Sequence, residues 1–121
     1  MSYTAIVTGA GSKRGIGRAT AHALAAAGWS VAVLDLDEAG AKDVADEIAG
    51  QHGAAAVGVA CDVTDEASVE AALAVVDGAV PPVGALVNNA GITSPTRFLD
   101  VTDAEWDRIF AVNVRGAYNI T

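Results

Sequence analysis

Residues Thr8 to Gly17 read T-G-A-G-S-K-R-G-I-G, a glycine-rich turn between a strand-like run, Tyr3–Thr8, and a helix-like run, Ile16–Ala27. A strand, a glycine turn and a helix in that order gather unpaired backbone N–H groups and the positive end of a helix dipole at one point. A phosphate fits there without a charged side chain, and glycine matters because a Cβ would block close approach of a pyrophosphate. Glycine turns also serve merely to reverse a chain, so the rest of the sequence decides the reading.

Outward from the turn, the chain alternates. Strand-like runs occur at Thr4–Thr8, Ser30–Leu34, Ala55–Cys61 and Ala85–Asn88. They are nearly continuous in apolar residues, the pattern of parallel strands covered on both faces. Helical stripes fall between them: Ile16, Ala19, Ala23, Leu24 and Ala27; Ala41, Val44, Ala45 and Ile48; Val69, Ala72, Leu73 and Val76. Gly28, Gly50 and Gly78 follow these runs as expected left-handed caps. Thr64, Asp65 and Glu66 make an acidic start to the third helix, and Thr102-Asp-Ala-Glu105 is a capping box for a fourth. This β-α-β-α-β-α-β-α order predicts a Rossmann-type α/β fold, a doubly wound parallel sheet of strand order 3-2-1-4.

Composition bounds the function. The chain has 121 residues, 52% of them apolar and few aromatic, which suits helices packed closely on a sheet through small residues. A net charge of −8 argues against nucleic acid as a partner. The single cysteine, Cys61, excludes a disulfide framework and a thiolate metal cluster. No apolar stretch approaches the length of a membrane span, and a strand follows Met1 almost at once, so a cytoplasmic location is expected.

In a doubly wound sheet, ligands sit beyond the carboxyl ends of the strands. The second strand ends at Asp35, 18 residues after Gly17, close to the spacing at which a carboxylate accepts from an adenosine ribose. Helix capping is the bland role for Asp35 and Asp37, and Asp37 reads as the cap. The fourth strand ends in Asn88-Asn89, amides that either pin neighbouring loops or line a cofactor cleft. Asn113 falls on the apolar stripe of the fourth helix with Trp106, Ile109, Phe110, Val114 and Ala117, so it is expected to be buried and to point to the cleft. It is either a satisfied structural asparagine or one held at an active site by water or a backbone carbonyl.

Together these segments resemble the short-chain dehydrogenase/reductase family, including members like 3-oxoacyl-ACP reductases. The resemblance runs from Thr8 to the helix bearing Asn113 and rests on five motifs: the glycine turn, Asp35, C-D-V-T-D (Cys61–Asp65), N-N-A-G (Asn88–Gly91) and N-V-R-G (Asn113–Gly116). It implies NAD(P) as cofactor and hydride transfer to or from a carbonyl or secondary alcohol on a small molecule. Gly9, Ser12, Arg14, Gly15, Ile16 and Gly17 would then cradle the phosphates and Asp35 the ribose. Asp62 would contact adenine with Val63 beside it. Asn89, Ala90 and Gly91 would form the wall near the ribose, and Asn88 would help hold the sheet. Asn113 would belong to the family's Asn-Ser-Tyr-Lys catalytic set.

Two departures stand out. Five residues separate Gly9 from Gly15 where the family has three, as though Lys13 and Arg14 had been added. The family's Ser and Tyr-x-x-x-Lys do not occur within these residues, so the chain is expected to be the amino-terminal part of a longer single-domain enzyme and inactive alone. A non-catalytic nucleotide-binding or regulatory module is the alternative. A P-loop hydrolase is excluded because no Gly-Lys-Ser/Thr follows the turn. NAD is expected over NADP, since Asp35 would repel a 2′-phosphate, with Lys13 and Arg14 the opposing consideration. The resemblance further implies a dimer or tetramer in the full-length protein, pairing through the helix that starts near Thr102 and the one after it.

Overall fold

A computed structural model describes residues 2–121. Strands β1 (Thr4–Thr8), β2 (Ser30–Asp35), β3 (Ala56–Ala60) and β4 (Val83–Val87) form one sheet of order β3-β2-β1-β4. Every neighbouring pair is parallel, as helical crossovers require. Helices α1 (Ile16–Ala26) and α2 (Glu38–His52) cover one face. Helix α3 (Glu66–Ala79) covers the other, with help from the short α5 (Ala117–Ile120).

Two apolar layers follow from alternation along the strands. Val7, Val31 and Val33 face Ala21, Ala25, Ala41, Val44 and Ile48; Ile6, Ala32 and Leu34 face Val69, Ala72, Val76 and Ile120. Small residues set the spacing: a Cβ on Gly58 of β3 would collide with the Ala41 backbone of α2.

The elements depart from expectation in four places. β4 starts at Val83, not Ala85, and stops before Asn88, because the β1–β4 register shifts at Gly84, which packs on Tyr3 and interrupts the apolar run. Gly50 and Gly78 lie inside α2 and α3; Gly53 (φ +64°) closes α2, and α3 ends at extended Val80, which precedes Pro81. Gly28 (φ +97°) does follow α1 as expected. Lastly, the fourth helix is not uniform. α4 (Asp103–Phe110) passes into a π-helical segment, Ala111–Gly116, before α5, and a single turn of 3₁₀ helix, Phe98–Asp100, precedes it. Its expected apolar stripe is about half exposed at Trp106, Phe110 and Val114, with Trp106 stacked on Phe110 at 4.7 Å. No helix among the described residues is long and apolar enough to cross a membrane.

Candidate dinucleotide cleft

A cleft of about 400 Å³ opens at the carboxyl ends of the strands. It is lined by Gly9, Gly15, Ile16, Asp35, Asp62, Val63, Asn89, Ala90 and Gly91, with Leu34, Leu36, Cys61, Ile92 and Val112 completing its walls. Motifs scattered over 80 residues of sequence thus converge at the point where the winding reverses between β1 and β4, as a doubly wound fold demands.

The glycine turn is held from both sides. Gly9 N donates to Leu34 O at 2.7 Å. The Asn89 amide donates to Thr8 O and Gly9 O, both at 3.0 Å, while Thr8 Oγ1 accepts from Asn89 N (3.1 Å) and Ala90 N (3.0 Å). Asn89 therefore pins the turn and also lines the cleft. Asn88 is exposed and, among the described residues, its side chain donates to Thr121 Oγ1 at 3.2 Å, whereas the bracing of the glycine turn comes from Asn89. Gly9 adopts φ +66° with Ala90 Cα 2.8 Å from where a Cβ would lie. Gly17 is buried under the turn, against Ala10 and the Asn89 amide.

These contacts leave a cradle suited to a pyrophosphate. Gly15 caps α1 without a side-chain hydrogen bond, so the N–H groups of its first turn meet no protein side chain. Ile16 is 80% exposed at the mouth. Side chains at Gly9 or Gly17 would fill or distort the cradle. The residues fit a dinucleotide's phosphates.

Asp35 is fixed by the loops it joins. One carboxylate oxygen accepts from Gly11 N and the other from Asp37 N, each at 2.9 Å. Each oxygen keeps a second lone pair for a ribose hydroxyl. Asp37 caps α2 by accepting from Gly40 N at 3.1 Å. On its other side Asp35 borders a second depression lined by Asp35, Asp37, Asp43, Glu47 and Lys13, where Glu47 is already paired with Arg18 at 2.7 Å. Ser12 lines that depression and not the cleft. Arg14 lines neither, is exposed, and makes no ion pair among the described residues. Ser12 stands beside Gly15, whose added Cβ would lie 3.4 Å from the Ser12 Cβ.

At the end of β3, Asp62 Oδ1 accepts from Thr64 N (3.0 Å) and Thr64 Oγ1 (2.6 Å), and Ser68 Oγ receives Asp62 N at 2.9 Å. Burial pushes the adjacent Cys61 thiol up, which keeps it protonated and unreactive.

Asn113 lies in the π segment beside the cleft. Its Oδ1 accepts from Ile92 N and its Nδ2 donates to Ile92 O, both at 2.8 Å. Among the described residues it is exposed and not buried as expected, with its amide spent on the Ile92 backbone. Glu105 of α4 accepts from Ser94 and Thr96, and these bonds, helped by the Thr102 backbone, hold its carboxyl below the ordinary range. The loop after β4 is thus tied to the helix at Ile92 and again at Ser94 and Thr96.

A profile of the short chain dehydrogenase family matches residues 3–121. The chain belongs to that family. Among similar short-chain dehydrogenases, an uncharacterized short-chain type dehydrogenase/reductase of Sinorhizobium fredii is 46% identical over 98% of this chain and 47% of its own. A 3-oxoacyl-[acyl-carrier-protein] reductase of Aquifex aeolicus is 40% identical over 92% of this chain and 45% of its own. The crystal structure of a 3-ketoacyl-(acyl-carrier-protein) reductase from Brucella melitensis, complexed with NADH, superposes with a TM-score of 0.88 at 43% identity, covering 98% of this chain and 47% of that one. The chain therefore spans about half the length of the relatives it matches.

Four contributors to this short-chain dehydrogenase cleft were not singled out from sequence: Thr8, Gly11, Ser68 and Asn119. Thr8 and Gly11 stand inside the glycine motif, where their spacing from Asn89 and Asp35 carries no signal. Ser68 accepts from Asp62 N six residues earlier, a local contact that no motif marks, while Asn119 reaches Val63 O across 56 residues, where only the folded topology brings it in.

Proposed function

We propose that this chain is the cofactor-binding part of an NAD(P)-dependent oxidoreductase that moves a hydride between nicotinamide and a carbonyl or secondary alcohol of a small molecule. The observation that carries the reading is the uncapped start of α1 opening into the same cleft as Asp35, Asp62 and Asn89. The nicotinamide supplies the redox chemistry when bound. The protein's part is to bind and orient: α1 and the glycine turn take the phosphates, Asp35 the adenosine ribose, and Asp62 with Val63 the base. Asn113 holds the Ile92 backbone at the opposite end and stands as the catalytic asparagine of the set. The carboxylates beside Asp35 favour NAD, because a 2′-phosphate a few ångströms from Asp35 in a partly desolvated cleft costs on the order of several kcal/mol. Arg14, exposed on the lengthened turn, is the residue through which NADP would be accommodated. A cytoplasmic homo-oligomer, dimer or tetramer, remains the assembly we propose for the protein of full family length.

The test is turnover by the polypeptide of full family length carrying these residues, with NADH and a panel of 3-oxoacyl thioesters and small ketones. Asn113→Ala lowers kcat by more than it weakens cofactor binding. Dinucleotide binding with no turnover on any carbonyl would make the protein a non-catalytic nucleotide-binding module instead.

A further inference from the structure

The helix that carries Asn113 bears a second asparagine, Asn119, whose amide reaches the other side of the cleft. Asn119 Nδ2 donates to Val63 O at 2.9 Å. Its Oδ1 is buried and accepts no hydrogen bond among the described residues. Its neighbour Ile120 packs in the apolar layer over β1, β2 and β3, so an apolar side chain also fits this end of the helix. What the amide gains is a grip on one peptide group. The carbonyl of the Val63–Thr64 peptide is held by Asn119, and the N–H of the same planar unit donates to Asp62 Oδ1 at 3.0 Å. Asn119 thereby orients the Asp62 carboxylate through a single rigid peptide. Gly116, one turn earlier, packs so closely on Val63 that a Cβ there would collide with its side chain.

Topology says which part of a dinucleotide this edge meets. Phosphate, ribose and base follow one another covalently, and β1, β2 and β3 follow one another across the sheet. With phosphate at the β1 turn and ribose at Asp35, the base falls at the end of β3. We propose that Asn119 is a positioning residue for the base end of the dinucleotide. One helix then sets both ends of the cleft, Asn119 through Val63 and Asn113 through Ile92. This rests on the dinucleotide reading above.

The test combines amide exchange in the free chain with ADP titration, for Asn119→Ala, Asn113→Ala and the exposed neighbour Tyr118→Ala. In Asn119→Ala, exchange at Thr64 accelerates while Ile92 is unchanged, and ADP binds about fivefold to tenfold more weakly. Asn113→Ala does the reverse at the two amides, and the control Tyr118→Ala changes neither exchange nor ADP affinity. Exchange accelerated throughout the sheet in Asn119→Ala, or ADP affinity equal to wild type, overturns the proposal and leaves Asn119 a packing residue. Failure of the wild-type chain to bind ADP refutes the dinucleotide reading instead, and the exchange pattern still decides whether Asn119 governs the Asp62 segment.

Discussion

The turn after β1 and the loop after β4 border the same cleft, yet they are built differently. Around Gly9, donors and acceptors from β1, β2 and the Asn89–Ala90 segment close on one another, and missing Cβ atoms let backbones touch. Around Ile92, the exposed Asn113 of the π segment holds the Ile92 N–H and C=O through its side-chain amide, and Glu105 of α4 holds the Ser94 and Thr96 hydroxyls. On the function proposed above, the turn would meet a phosphate, the same in every dinucleotide, and would gain from rigidity, whereas the loop would meet a variable carbonyl substrate and could be retuned by changing its polar ties.

Substitutions can break this contrast, in decreasing order of effect. Gly9→Ala forces a Cβ onto a left-handed residue and against Ala90, and should destabilise the fold by about 3 kcal/mol in denaturant melts. Thr8→Val leaves the N–H groups of Asn89 and Ala90 without their acceptor, at about 2 kcal/mol in the same melts. Asn113→Ala, on the exposed side, should cost less than about 1 kcal/mol while speeding exchange of the Ile92 amide. An equal loss for Asn113→Ala and Thr8→Val would erase the distinction between the regions. The mildest perturbation is acid. Glu105 has a folded pKa below its unfolded one, so its ties to Ser94 and Thr96 are fully present above the ordinary carboxylate pKa and are lost as pH falls through the lowered value. Thr96 amide shifts should therefore be flat near neutrality and move only below the ordinary carboxylate range, with Glu105→Gln removing that step.

The same contrast governs what could be read from sequence. The sheet order, the glycine turn and the cleft position of Asp35 follow from local spacing and handed crossovers, which a sequence displays directly. Gly53 and the bulge at Gly84 were hidden because helix length and register depend on packing between distant segments. The π segment was hidden for a related reason: Asn113 lies on a stripe drawn at 3.6 residues per turn, and the widened turn leaves it exposed beside Ile92. The path of Ser12 and Arg14 was hidden because two added residues redirect a loop in a way that no periodicity encodes.

The central claim is that a rigid phosphate turn delivers the adenosine ribose to Asp35, and a paired titration tests it most directly. NADH and NADPH are each titrated into the wild-type chain, Asp35→Asn and Arg14→Ala. The account predicts tighter NADH binding in the wild type, a narrowed gap in Asp35→Asn as the repulsion of the 2′-phosphate falls away, and no change of preference in Arg14→Ala. Tighter binding of NADPH by the wild type, abolished in Arg14→Ala, would contradict it.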